Sequence, residues 1–113
     1  MNEWFTNVHK ATISVLNKLG YDVFIPENDV CCGALHSHSG DSNSAIKLKN
    51  DSDFQFINCA FVVVNSAGCG AELKSYEKND IKYIDVIEFL STIDFKLKNS
   101  FIGKVIWDAP CHL

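Results

Sequence analysis

The sequence is short of most features that would place it in a known functional class. Its longest uninterrupted apolar stretch, Cys59 to Val64, is far too short to cross a bilayer. Ten basic residues stand against 14 acidic ones, for a formal net charge of -4, and no basic patch stands out. A nucleic-acid partner is therefore not expected. The opening Met1-Asn2-Glu3-Trp4 has no charged region leading into an apolar one, so no secretory signal is expected. No Gly-x-x-x-x-Gly-Lys loop is present to cradle phosphates, and Gly68-Cys69-Gly70 lacks the third glycine of a dinucleotide turn. No nucleophile–base pair stands out, so no catalytic residue is assigned. No Cys-x-x-Cys pair occurs, which sets aside zinc ribbons and ferredoxins. No low-complexity linker divides the chain.

What the chain does have is a high cysteine count. Its 113 residues suffice for one domain with one core, and a hydrophobic content of 47% marks it as globular. Five cysteines is many for such a length, the number is odd, and two of them adjoin in Cys31-Cys32-Gly33. Neighbouring side chains on a strand face opposite ways, so both cannot enter one core from a strand. Adjacent cysteines are also poor disulfide partners. A reducing, cytoplasmic compartment and a thiolate-ligand role fit better than a disulfide framework.

Apolar residues at three- and four-residue spacings predict a helix over Trp4 to Leu19, ended by Gly20. Tyr21 to Ile25 is β-prone and closed by Pro26; Glu27 to Gly33 follows as a loop. Ala34 to Asn50 reads as helix, broken near Gly40-Asp41, with Asp41 as a cap for the second segment. Asn58 to Asn65 is the strongest strand, apolar on both faces as in a central parallel strand. Ser66 to Gly70 is expected as a turn and Ala71 to Lys78 as a helix. Ile81 to Ile84 is a short strand, Asp85 to Leu90 a helix opened by Asp85 and Glu88, and Lys104 to Trp107 a last strand. The alternation predicts an α/β fold: a small, mostly parallel sheet with helices packed on it.

Functional groups of open parallel sheets gather beyond the carboxyl ends of the strands. Cys31 and Cys32, Cys69 and Cys111 each follow an expected strand, so four thiols share one rim if the strands are neighbours. Cys59 opens its strand and is expected in the core. Thiolates at this density suit an iron–sulfur cluster or zinc. Gly33, Gly68 and Gly70 would let the backbone approach such a centre and donate N–H groups to its sulfurs. His36 is a candidate to hydrogen-bond a sulfur, His38 a weaker one, and His112 stands or falls with Cys111. His9 is expected at the surface. A buried cysteine pair, a turn thiol and self-satisfied histidines are the plainer readings of the same residues.

Four stretches carry a specific likeness: CCGALHSHSGD from Cys31, VVVNSAGCGAELKSYE from Val62, DVIEFL from Asp85 and APCHL from Ala109. In this order and spacing they resemble the cysteine-rich CCG domain, in which a cysteine, a Cys-Cys pair and a Cys-x-x-Cys follow one another. The wording is most similar to iron–sulfur subunits of glycolate oxidase, and the likeness runs from the first helix to His112. Position by position, Cys31 and Cys32 match the central pair and Cys69 the last cysteine of Cys-x-x-Cys. Ser66 stands where the earlier cysteine of that motif would be, and Cys111 matches the opening cysteine of a second repeat. The chain then reads as a single CCG domain shortened at both ends, with a first repeat over about 1–100 and the start of a second over about 101–113.

The resemblance implies an electron-transfer subunit of a glycolate or other 2-hydroxy acid oxidase or dehydrogenase complex. It further implies a 4Fe-4S type cluster held by Cys31, Cys32, Cys69 and Cys111. The implied partners are a flavin-containing oxidase subunit and a quinone-linked acceptor, with attachment to the inner face of the membrane through those partners. Two rival readings are a zinc-stabilised structural or docking domain, and a thiol–disulfide module of the heterodisulfide reductase type working at Cys31 and Cys32.

Overall fold

β-Branched side chains are stiff and pack well on a pleated surface. In the run of three valines this produces β1 (Val62–Val64), one edge of a two-stranded parallel sheet. The computed structural model describes residues 5–28, 31–76, 81–96, 102–106 and 108. The second strand, β2 (Tyr83–Asp85), pairs Val62 with Tyr83, Val63 with Ile84 and Val64 with Asp85. The helices among the described residues are α1 (Thr6–Lys18), α2 (Ala34–His38), α3 (Ser42–Phe56), α4 (Ala67–Ser75) and α5 (Val86–Ser91). Helix α4 carries the chain from β1 to β2, the crossover that a parallel pair needs. The result is the expected small α/β fold.

Alternation along β1 divides the core in two. Val62 and Val64 pack with Phe56 of α3, Leu73 of α4, Ile81 and Tyr83. Phe61 and Val63 pack with Leu16 of α1, Ile84 and Phe89 of α5. Tyr21, Phe61 and Phe89 add ring contacts, with centroids 5.2 Å apart for Tyr21–Phe89 and 4.9 Å for Phe61–Phe89. Both faces of the strand are covered, as its unbroken apolar run requires. No helix among the described residues is long and apolar enough to cross a membrane.

Two expected strands are corrected. Tyr21 to Ile25 is irregular: Val23 packs against the second core cluster, while Phe24 and Ile25 stay exposed. The described part of the expected last strand, Lys104 to Ile106, is also irregular and exposed; Trp107 lies outside the described residues. Strand propensity is realised only where a neighbouring strand takes up the backbone hydrogen bonds, and among the described residues β1 and β2 pair only with each other. The turn expected at Ser66 to Gly70 is corrected too. Helix α4 begins at Ala67, with the Gly70 N–H donating to Ser66 O at 2.8 Å. Each glycine costs a helix about 1 kcal/mol, and burial of Leu73 and Gly70 on the sheet offsets it.

The break between α2 and α3 falls where expected. Gly40 takes φ 86°, and Asp41 caps α3 by accepting from the Ser44 N–H at 3.1 Å. Asp85 likewise caps α5, accepting from the Ile87 N–H at 2.8 Å. Gly33 makes a close backbone approach to α3. It caps α2 with φ 80°, and a Cβ there would lie 2.7 Å from Ala45 O and 2.8 Å from Ala45 Cα. The cysteine loop therefore lies directly on the backbone of α3. At Gly40 a Cβ would meet nothing within 4 Å. Gly40→Ala is expected to cost about 1 kcal/mol, from backbone handedness alone. Gly33→Ala, which must also push α3 away, is expected to cost about 3 kcal/mol in urea denaturation. Equal losses at the two positions would contradict the close approach.

Candidate cysteine site at the carboxyl end of β1

The chain leaves β1 at Asn65, passes through Ser66 and enters α4. Ser66 is extended, with φ -135° and ψ 120°, and its hydroxyl makes no bond to the helix backbone. It faces the cleft with Cys69 and helps lower the pKa of that thiol. Cys69 lies in the first turn of α4, where unpaired N–H groups favour an anionic sulfur. The loop before α2 delivers Cys32 to the same cleft, where the Cys32 and Cys69 thiols shift each other's titration.

That coupling governs their chemistry. Donation from Cys32 brings Cys69 down to about 6, with Ser66 adding to the effect and burial opposing it. Its bond to Cys69, then burial, pushes the Cys32 thiol far above the ordinary thiol range. Two thiols in this relation share one proton and titrate as a pair. All four cysteines among the described residues are free thiols: Cys31 is exposed, while Cys32, Cys59 and Cys69 are half-buried. Cys31 is held through its backbone. Its N–H donates to the Ser52 hydroxyl of α3 at 3.2 Å.

Cys31, Cys32 and Cys69 line one cleft of about 740 Å³. His9 and Thr12 of α1 also line it, tied to the end of β1 by a polar clasp. Thr12 Oγ1 lies 3.0 Å from Asn65 Oδ1, and Asn65 Nδ2 lies 3.0 Å from His9 Nδ1. His9 is thus part-buried and partnered, a correction to its expected place at the surface.

The structure unites Cys31, Cys32, Cys69 and Ser66 of the expected site. It does not bring His36 there: its ring pairs with Asp41 at 3.6 Å, and it does not line the cleft. Gly33 serves the loop through its contact with α3. Gly68 and Gly70 lie in the first two turns of α4, with nothing within 4 Å of an added Cβ. Cys59 packs against the core cluster of Phe56 and Leu73, as expected. Cys111 and His112 lie outside the described residues.

The sequence gives no site role to Ser52, Thr12 or Asn65, and it points His9 to the surface. Only Ser52 left a trace there: Lys49, Ser52 and Phe56 recur at helical spacing on what becomes the buried side of α3.

Among the described residues no three His, Cys, Asp or Glu side chains already converge as a metal-binding group. The donor chemistry nonetheless suits a soft metal or cluster. Three cysteines and the hydroxyl at the fourth motif position line one cleft, Cys32 and Cys69 shift each other's titration, and Cys31 is exposed. Alkylation of Cys69 is expected to be half-maximal near pH 6 in the metal-free chain. In Cys32→Ala the midpoint should rise toward the free-thiol value of about 8.5. An unmoved midpoint would remove Cys32 as the proton donor.

The sequence model of the cysteine-rich domain, CCG, matches residues 1–74. A "Probable glycolate oxidase iron-sulfur subunit" of Bacillus subtilis is 38% identical over 79 residues, covering 68% of this chain and 18% of that protein. An uncharacterised iron–sulfur protein of Methanococcus maripaludis is 37% identical over 112 residues, covering 94% and 22%. A lactate utilization protein A of Bacillus pumilus is 39% identical over 123 residues, covering 95% and 52%. The chain thus spans from under a fifth to about half the length of these relatives. No solved structure gives a significant match. With its paired cysteines, its Gly33 turn and its matched first 74 residues, the chain belongs to the cysteine-rich CCG domain family.

Proposed function

We propose that this chain is an electron-transfer module in which Cys31, Cys32 and Cys69 hold an iron–sulfur cluster. The observation that carries the reading is the convergence of Cys31, Cys32 and Cys69 on one cleft at the carboxyl end of a parallel strand. Cys31 joins from the adjoining position, where its side chain is exposed. Cys111 is the natural fourth thiolate. When bound, such a cluster takes up and returns single electrons. The residues of this chain supply the setting. The first turn of α4 and the Ser66 hydroxyl stabilise negative charge on sulfur, which bears on both affinity and potential.

The names of the relatives support the iron–sulfur part of this reading, since several are called iron–sulfur proteins or subunits. They favour a setting in 2-hydroxy acid oxidation: one is named for glycolate oxidase, others for lactate utilization. The finer reading is a subunit that accepts electrons from a flavin-containing 2-hydroxy acid oxidase and passes them toward a quinone-linked acceptor. The cluster would be of 4Fe-4S type. Substrate chemistry would belong to the partner and its cofactor.

Anaerobic reconstitution with iron and sulfide tests the reading. Iron and acid-labile sulfide should bind in matching amounts and give a paramagnetic signal on reduction or oxidation. Cys32→Ala and Cys69→Ala should each lose most of both. Protein purified without oxygen that holds zinc but takes up neither iron nor sulfide would replace the reading with a zinc-stabilised structural domain.

A further inference from the structure

The inward stripe of α3 is Ala45, Lys49, Ser52 and Phe56. A helix laid on a core ordinarily fills such a stripe with apolar residues. Here its two central positions are polar, and both are almost fully buried: Lys49 is 5% exposed and Ser52 4%. Lys49 has its own partner, an ion pair with Asp53, whose other oxygen accepts from the Tyr83 hydroxyl. Ser52 faces the cysteine loop.

The Ser52 hydroxyl accepts from the Cys31 N–H at 3.2 Å. Its single proton lies within reach of two carbonyls, Cys31 O at 3.1 Å and Leu48 O at 2.9 Å. Bonding to the carbonyl four residues back is ordinary for a serine inside a helix. Contact with both the N–H and the C=O of one residue in a separate segment is not. These two groups belong to the peptide planes on either side of the Cys31 Cα, so holding both fixes the backbone angles at Cys31. The next two residues are fixed by the same helix. Gly33 lies on Ala45, and Cys32 packs on the cluster that contains Phe56. Alanine at position 52 would be the better helix former and would leave no hydroxyl to desolvate.

We infer that Ser52 is a positioning residue: its hydroxyl clamps the Cys31 peptide and thereby sets the direction in which the Cys31–Cys32 thiols are presented. The purpose of the clamp rests on the ligand reading given under the proposed function. Its existence is measurable on the chain without any metal.

The experiment compares the metal-free chain with Ser52→Ala and Ser52→Thr by residue-resolved amide exchange and by alkylation of Cys32. In Ser52→Ala the Cys31 amide should lose about tenfold in protection, the worth of one hydrogen bond. Cys32 should be alkylated faster, while the amides of α3 and α4 keep their protection. Ser52→Thr, which restores the hydroxyl, should return both readings toward wild type. Unchanged exchange at Cys31 in Ser52→Ala overturns the inference. So does a uniform rise over all α3 amides, which would mean that Ser52 serves only the helix. A chain that binds no iron or sulfide yet shows the local loss at Cys31 retains the clamp and refutes the cluster, so the two ideas fail separately.

Discussion

The seating of residues 31–33 on α3 is the constraint on which the rest depends. Gly33 comes so close to the Ala45 backbone that no side chain fits between them. Ser52 holds the Cys31 peptide about two turns further along the same helix, and Phe56 belongs to the cluster that receives Cys32. A short loop with little apolar content gains order from this contact rather than from propensity of its own. Once the loop is seated, Cys32 reaches Cys69 at the start of α4. A cysteine pair and a distant single cysteine then become one site.

The sheet supplies the other half of the geometry. Two three-residue strands are few, yet β1 is covered on both faces, by α3 and α4 on one side and α1 and α5 on the other. That burial fixes where β1 ends, and the end of β1 fixes Asn65, Ser66 and the first turn of α4. Polar groups unsatisfied by the strand are taken up there: Asn65 by Thr12 and His9, Ser66 by the Cys69 sulfur. The parallel arrangement therefore places a helix N-terminus, a hydroxyl and two thiols at one point without strain elsewhere in the described backbone. No non-glycine residue among those described has positive φ.

Much of this was legible from the residues. The valine run identified β1, Gly40 and Asp41 marked the break between helices, and Cys31, Cys32 and Cys69 were recognisable by their place after apolar runs. What failed was local propensity without a partner. Tyr21 to Ile25 and Lys104 to Ile106 have strand-forming residues, but a strand is a property of a pair, and no pairing among the described residues reaches them. Helix α4 starts early because tertiary burial outweighs the glycines that suggested a turn. His36 looked placed for sulfur by its proximity in sequence, whereas the helical turn directs it to Asp41. Ser52 and His9 act through contacts 21 and 56 residues away, a distance that no local pattern encodes.

Taken together, the loop on α3 and the first turn of α4 make the thiolate site that we propose holds iron and sulfide. X-ray absorption at the iron edge of the anaerobically reconstituted chain tests this most directly. The expected spectrum shows sulfur as the nearest neighbours of iron together with a short iron–iron vector, both lost in Cys69→Ala. Iron surrounded by oxygen and nitrogen with no iron–iron vector, unchanged in that variant, would contradict it.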